Sequence, residues 1–486
     1  MHRHLLPSLT SLIFLVVFSL ALASGPQMLS IDSDLGRHLA LGNYILDHRI
    51  IPTRDLFSHT LTGQPRPPYE WLSQILFAIS HRVLGLDGVI LFTSAIIASA
   101  FTLTFHFSAQ NCRTPLIAFL LTLLAAGTAS LHWLPRPHIM TFLLLAIWVG
   151  ALEKLQRGEA IPIFVFPFIM LLWANLHGGF VYGILAWLAY FAGWLVDRWR
   201  KRADPQTGRQ LLIIGITSLV ASVLTPDLWH NWEAVLNNRS VFILSRTLET
   251  MPPDLTDPAI LPFDLLLAIG IILFIFNRKF LRTSHLFLMT GFGLLALLMA
   301  RNIPLFAIAC TPIISGLAGG SMSNSRSWLK IEERFSNFNR QTTWNLPPLL
   351  LFSCTFAFFA VQHSRTNDSV FHYNPRVFPV EALIWLDKNP QAGYMFNEFN
   401  WGGYILEKTW PRYLVFLDSQ SDFYGESLIR EYDRAMSAQS GWQDILAKYD
   451  ISWAIIQPKQ PLAIALRDLG WNVAYQDGTA IILHNP

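Results

Sequence analysis

The stretch I-D-S-D-L-G-R-H-L brings Asp32, Asp34, Arg37 and His38 together just after the first hydrophobic segment. Two carboxylates, a guanidinium and an imidazole are costly to keep at a membrane edge, and ionisable groups held there mark functional sites. One carboxylate can take the proton from an attacking hydroxyl. The D-x-D spacing can instead hold a divalent cation, Mg or Mn, against a diphosphate, with Asp32 and Asp34 as ligands. Both aspartates are also ordinary helix-start residues, favoured by capping and by the helix dipole. The pair therefore needs company before it defines a site.

Other segments supply that company. The same first loop carries Asp55, His59 and Glu70. Further on stand H-W-L-P-R-P-H with His132, Arg136 and His138, and W-A-N-L-H-G-G-F with Asn175 and His177. T-P-D-L-W-H-N-W adds Asp227 and His230, and A-R-N-I-P adds Arg301 and Asn302. A guanidinium fork suits phosphate better than an ammonium does, so Arg136 and Arg301 are candidates for a phosphate. The histidines can donate to phosphate oxygens or move protons. Each motif also has a plain structural reading: R-P-H can stop a helix, and H-G-G can be a turn that uses glycine freedom. Those readings do not predict that all of these groups collect on one side of a membrane. Group transfer from an anionic lipid is the chemistry the set suits.

The elements that must position them are membrane spans. The chain has 486 residues, 52% of them hydrophobic and 14% charged, with a mean hydropathy of +0.38. A soluble domain carries about a quarter charged residues, so this composition belongs to the membrane class. A formal net charge of +3 without a basic run gives no footprint for nucleic acid. Three cysteines, Cys112, Cys310 and Cys354, give neither a disulfide framework nor a metal spacing.

Residues 1–24 read as a retained first helix, although A-L-A-S-G is also the grammar of a cleavable leader, with cleavage after Ala23 left open. Further apolar runs start near Leu86, Pro115, Ile139, Ile161, Phe180, Leu211, Leu261, Leu286, Pro304 and Leu346. With the first, these make about eleven spans at the length a span requires. Residues 25–85 form a long first loop. It holds one helix running to about Asp47 and an amphipathic surface helix at Y-E-W-L-S-Q-I-L-F-A-I. With the N-terminus cytoplasmic, Asp197–Arg202, Asn277–Arg282 and the segment with Arg326, Lys330, Arg334 and Arg340 fall inside, which fits the positive-inside bias. All the candidate site groups then fall outside.

The tail from about Gln362 changes character. Strand-like pieces (Tyr394–Phe396, Tyr413–Leu417, Trp453–Ile456, Ala480–Leu483) alternate with helix-like pieces (Glu381–Lys388, Ser427–Ala435, Gln443–Tyr449, Leu462–Leu469). This reads as a small extracytoplasmic α/β domain, residues 363–486, after a membrane domain of residues 1–362. Asp418, Asp422 and Tyr424 either line an acceptor groove or sit in a solvated loop, and the loop is the favoured reading.

These motifs carry a resemblance. D-S-D-L-G-R-H-L-A-L-G, I-P-T-R-D-L-F-S-H-T, E-W-L-S-Q, R-P-H, W-A-N-L-H-G-G-F and R-N-I-P-L-F-A resemble bacterial membrane glycosyltransferases of the GT-C superfamily. The architecture is similar to family 39 and to oligosaccharyltransferases. The tail pattern F-N-W-G-G-Y-I…P-R-Y-L-V-F-L-D-S-Q-S-D-F-Y-G is similar to one found in such proteins. Its N-W-G-G-Y is faintly similar to the W-W-D-Y-G element of oligosaccharyltransferases, but the central Asp is missing, so peptide recognition is not carried over.

The resemblance implies a polyprenyl-phosphate-linked sugar as donor, a lipid, glycan or protein acceptor, inverting transfer and a bacterial inner membrane. It matches the acidic motif to Asp32 and Asp34. Arg37, His38, Glu70, Arg136, His138, Asn175, His177 and Arg301 are the candidates for substrate contact. A carrier or flippase for an anionic lipid-linked solute, and a non-catalytic envelope scaffold, are the competing readings. Carriers keep their ionisable groups near the midplane and often show repeats, and this sequence shows neither.

Overall fold

The computed structural model describes residues 7–31, 33–112, 114–237, 240–277, 281–322, 333 and 346–486. Asp32 lies outside the described residues, as do Arg239 and the basic residues Arg326, Lys330, Arg334 and Arg340.

Helix α1 (Leu9–Ala23) starts at Ser8, whose hydroxyl accepts the Ser11 N–H. That bond satisfies a donor the helix itself cannot. A 51° bend leads into α2 (Gly25–Ile31). Helix α3 (Asp34–His48) begins at the acidic motif and ends where Arg49 turns left-handed at φ 57°. After the rest of the first loop, α4 (Trp71–Asn111) runs for 41 residues with a break at Leu84 and Gly85. The expected surface helix and the next span are therefore one bent element. Gly85 makes the break possible with φ 59°, a conformation that costs a glycine little.

Helices α5 (Pro115–Ala129), α6 (His138–Gln156), α7 (Val165–Leu176), α8 (Phe180–Trp199) and α9 (Pro205–Val223) follow. Two short helices, α10 (His230–Asn237) and α11 (Val241–Leu244), interrupt the next loop. Then come α12 (Leu261–Asn277), α13 (Thr283–Leu298), α14 (Ile303–Met322) and α15 (Leu346–Thr366). Among the described residues 7 helices are long and apolar enough to cross a membrane, or 8 if the bent α1–α2 pair is one span. Helices stand at all the expected span positions, but α7 and α13 are shorter and α9 opens on the polar turn P-Q-T-G-R-Q. Helix α4 is the hub, with α1, α3, α5, α6, α14 and α15 packed along it. The chain is a polytopic helical membrane protein.

The C-terminal part is α/β. Helices α16 (Val380–Lys388), α17 (Gly402–Thr409), α18 (Ser421–Met436), α19 (Trp442–Lys448) and α20 (Pro461–Asp468) surround strands β1 (Tyr394–Asn397), β2 (Ile451–Ile456), β3 (Asn472–Gln476) and β4 (Ile481–His484). The sheet order is β1-β2-β4-β3, with β1 and β2 parallel and the other pairs antiparallel. Strand β2 is almost wholly buried, which suits its continuous apolar run I-S-W-A-I-I.

The expected strand Tyr413–Leu417 does not join this sheet. Val415 pairs instead with the first loop: its N–H donates to Phe57 O at 3.0 Å, and His59 N–H donates to Val415 O at 3.0 Å. The segment's hydrogen bonds and apolar side chains thus fasten the C-terminal part to the loop that carries the acidic motif. The G-G of N-W-G-G-Y fastens it a second time. A Cβ on Gly403 would lie 2.0 Å from Ser33 O, and one on Gly36 would lie 2.3 Å from Gly403 O. The start of α17 and the first turn of α3 therefore touch backbone to backbone, and only glycine fits at either position.

Candidate active site

Helix α3 presents Asp34, Arg37 and His38 to one polar cavity of about 400 Å³. Its wall also includes Tyr69 and Glu70 from the end of the first loop, and His132, Arg136 and His138 from the α5–α6 turn. His177 and Gly179 reach it from the α7–α8 turn, and Arg301 and Asn302 from the turn before α14. Ser419, Gln420 and Asp422 come from the C-terminal part. Four of the five expected segments converge here, and of the substrate-contact candidates among the described residues one is missing from the wall.

That residue is Asn175. Its amide donates to Leu171 O at 2.8 Å and to Leu224 O at 3.0 Å, and its oxygen accepts Trp71 Nε1–H at 2.8 Å. It locks α7 to the start of α4, and its hydrogen-bonding groups are already used. Asp227 and His230 line a neighbouring cavity of about 490 Å³ that shares Tyr69, Ala234, Gln420 and Asp422 with the first. Asp55 pairs with Arg66 at 2.6 Å and caps the turn at Ser58, a structural role.

Asp34 is engaged on both oxygens. Arg136 Nε lies 3.2 Å from Oδ2, and Ser419 Oγ–H donates to Oδ1. Burial opposes ionisation, but Arg136, Arg37 and His38 together with the Ser419 bond outweigh it and hold the carboxyl well below its usual range. Arg136 in turn reaches Glu249 at 3.4 Å. Glu70 behaves in the opposite way. Burial, reinforced by the nearby Asp34 and Asp422 carboxylates, overcomes the pull of Arg37 and lifts it to about 7.

Glu70 stands between two imidazoles, with His38 Nδ1 at 3.9 Å and His177 Nε2 at 3.7 Å. The His177 tautomer follows from its other nitrogen. Nδ1 accepts the Gly179 N–H at 3.0 Å and meets the Thr141 hydroxyl at 2.8 Å, so the neutral ring carries its proton on Nε2, facing Glu70. Burial and the Arg37 charge push His38 well below its ordinary pKa, which keeps it neutral.

Two guanidinium atoms are conspicuous. Arg37 Nε and Arg301 Nε are buried without a hydrogen-bond partner. Leaving a charged donor unsatisfied in a buried position is costly.

Sequence reasoning missed the contribution of the S-Q-S-D segment. Gln420 Oε1 accepts from Arg37 at 3.2 Å and from Arg66 at 2.6 Å, while Gln420 Nε2–H donates to Tyr69 Oη at 3.3 Å. Arg66 also holds Asp55 at 2.6 Å and Asp418 at 3.1 Å, and all three are buried. This network closes the cavity by joining first loop to tail. Asp422 lines both cavities rather than sitting in a solvated loop. Arg66→Met, which leaves Asp55 and Asp418 buried without their cation, is expected to destabilise the fold by about 3–5 kcal/mol. Thermal unfolding of the detergent-solubilised chain checks this.

Asp32, one of the two ligands the acidic motif would offer a cation, lies outside the described residues. Among them no three His, Cys, Asp or Glu side chains form a metal-holding group, and Asp34 is already shared by Arg136 and Ser419.

No protein-family model and no curated protein sequence matches the chain. Solved structures match its fold. The oligosaccharyltransferase of Archaeoglobus fulgidus in its apo form aligns with a TM-score of 0.61 at 12% identity, over 92% of this chain and 69% of that one. AglB from the same organism, in complex with an inhibitory peptide and a dolichol-phosphate, aligns at 0.58 and 11% identity over 91% and 69%. ArnT from Cupriavidus metallidurans in the apo state aligns at 0.52 and 13% identity, over 97% of this chain and 98% of that one. The fold is therefore shared with these membrane-transferase structures. At these identities the likeness is one of fold, and function has to be argued from the site.

Proposed function

We propose that the chain is an integral membrane glycosyltransferase. It moves a sugar, with inversion, from a polyprenyl-phosphate-linked donor to a lipid, glycan or protein acceptor. In this reading it resides in a bacterial inner membrane with its N-terminus in the cytoplasm. Residues 1–362 form the membrane domain, and residues 363–486 stand on the outer side with the site.

The observation that carries the reading is the convergence of three arginines, Arg37, Arg136 and Arg301, on the cavity that Asp34 also lines. Such a cavity suits a phosphate beside a carboxylate. Asp34 at rest is too well stabilised as an anion to be an effective base, because Arg136 shares its charge. An incoming donor phosphate competes for Arg136 and weakens that hold. Asp34 then takes the proton of the acceptor hydroxyl as its oxygen attacks the anomeric carbon. The bond from that carbon to the phosphate oxygen breaks, and the electron pair leaves with polyprenyl phosphate. Arg37, Arg136 and Arg301 stabilise the extra negative charge that develops there. Placing charge-assisted donors where charge appears is a large catalytic term, and no covalent intermediate is needed.

Product analysis tests this reading. Full-length protein in nanodiscs, given polyprenyl-phosphate sugars and an envelope extract as acceptor source, is expected to release polyprenyl phosphate and label an acceptor. Movement of intact donor across vesicles with no covalent product would instead make the chain a carrier.

Glu70 adds a pH dependence. If its carboxylate must be ionised to accept from His177 Nε2–H, kcat/KM rises with pH through about 7, the value at which Glu70 titrates. Glu70→Gln should remove that inflection. An unchanged profile in the variant would assign the limb to another group.

A further inference from the structure

A second polar cavity, of about 640 Å³, lies apart from the site and shares no lining residue with it. It forms where the elbow of α4, the end of α15, residues 367–373, α16 and α17 meet. His81, His363, His372, Lys388 and Lys408 line it, with Asp368 and Asp387 as the acidic members.

The carboxylates are already occupied. Asp387 pairs with Arg412 at 3.3 Å, and Asp368 accepts the Ser369 N–H at 2.9 Å with His372 at 3.9 Å. Lys408 pairs with Glu407 at 2.6 Å, whereas Lys388 has no ion-pair partner among the described residues. His363 Nδ1 is buried without a hydrogen-bond partner. Ser369 Oγ accepts the Leu86 N–H at 3.0 Å, which leaves its own hydrogen to donate. Asp87 fixes the overlying segment by accepting Val370 N–H and Phe371 N–H, each at 2.8 Å. A rigid frame thus carries an excess of donors over acceptors.

The rim indicates the source of the ligand. Helix α15 is a span with only 6% of its apolar window buried. Its exposed Phe358 and Val361 are followed by exposed Val370 and Ile384 beside the cavity. A lipid-facing surface therefore leads to a pocket that holds Lys388, a lysine without an ion-pair partner among the described residues, at the polar end of a span. We infer that this cavity binds the phosphate of an anionic membrane lipid headgroup. Lys388, His363, Lys408 and the Ser369 hydroxyl supply the donors, and Ile384 and Val370 lie against the acyl glycerol.

The placement gives the lipid a structural consequence. Helix α17 offers Tyr404 and Lys408 to this pocket and Gly403 to the first turn of α3. A bound headgroup braces the element on which the Asp34 helix rests.

The test uses the full-length chain in phosphatidylcholine nanodiscs doped with phosphatidylglycerol. Extraction into mild detergent and native mass spectrometry then count the retained lipid. Wild type is expected to keep phosphatidylglycerol about tenfold in preference to phosphatidylcholine, a difference of about 1.4 kcal/mol. Lys388→Gln with His363→Gln should abolish the preference. Lys388 is exposed on α16, so the single Lys388→Gln variant carries the test if the double variant does not fold. A parallel arm offers inorganic phosphate at matched concentration. Failure of phosphate to displace the lipid supports a headgroup site, and displacement would overturn it in favour of a soluble oxyanion. Equal retention of both lipids, or unchanged retention in the variants, would overturn the site itself.

Discussion

Asp34→Asn is expected to lower the turnover of sugar transfer by roughly 10²–10⁴-fold, the range a positioned general base contributes. Asparagine keeps the shape of the side chain and can still accept from Ser419. Arg136 retains Glu249 at 3.4 Å, so the variant has no reason to unfold. Donor affinity should hold or improve, because Arg136 no longer divides its charge between Asp34 and the phosphate. The split between kcat and donor Kd is therefore the informative readout. A variant that turns over at close to the wild-type rate would remove Asp34 from the chemistry. Equal loss of turnover and of folded protein would make the residue a structural anchor between α3, the α5–α6 turn and the tail.

Arg301→Gln should act on the other half of the reaction. A hydrogen bond to a charged group is worth about 1.5–3 kcal/mol, and removing it from the donor phosphate should weaken donor binding by roughly 10–150-fold. The 3₁₀ turn that carries Arg301 has support of its own: Tyr182 Oη–H donates to Asn302 Oδ1 at 2.7 Å, and Asn302 Nδ2–H donates to Leu295 O at 2.9 Å. The loss should thus appear in binding and not in folding. Arg301→Lys restores the charge without the planar fork, so it should recover part of the affinity. Titration of donor into nanodisc-held protein measures all three forms. Unchanged affinity in Arg301→Gln would remove Arg301 from the donor site.

What was legible in the sequence follows from how membrane proteins are written. A span needs a long apolar run, and the runs near Leu86, Pro115, Ile139 and Phe180 all became helices. Polar motifs at span ends stand out against that background. Arg136, His138, His177 and Arg301 could thus be picked out singly and grouped by the side they share.

Contacts between distant polar loops carry no such signature. Gln420 gives no local hint that its oxygen will serve Arg37 and Arg66 together, and Asp422 looks like any loop carboxylate. Tyr413–Leu417 reads as a strand because its apolar content is strand-like, but its partner is the first loop rather than the sheet. Strand β3, N-V-A-Y-Q, does not stand out in the sequence, because an exposed edge strand needs no apolar run. The glycines of D-S-D-L-G and N-W-G-G-Y read as separate motifs, and only the fold shows Gly36 and Gly403 as two halves of one contact. Asn175 shows the converse error, a polar residue at a span end that holds helices together instead of facing the cavity.

The central claim is that one cavity binds a lipid-linked sugar phosphate and activates its transfer. Its most direct test is donor binding and slow donor hydrolysis, measured on the full-length protein in nanodiscs across a panel of short polyprenyl-phosphate sugars. Wild type, Arg301→Gln and Asp34→Asn are compared side by side. Saturable binding of at least one donor is expected, with affinity weakened roughly 10–150-fold in Arg301→Gln and hydrolysis lost in Asp34→Asn with binding retained. No binding to any donor in the panel, or hydrolysis indifferent to Asp34, would contradict the claim.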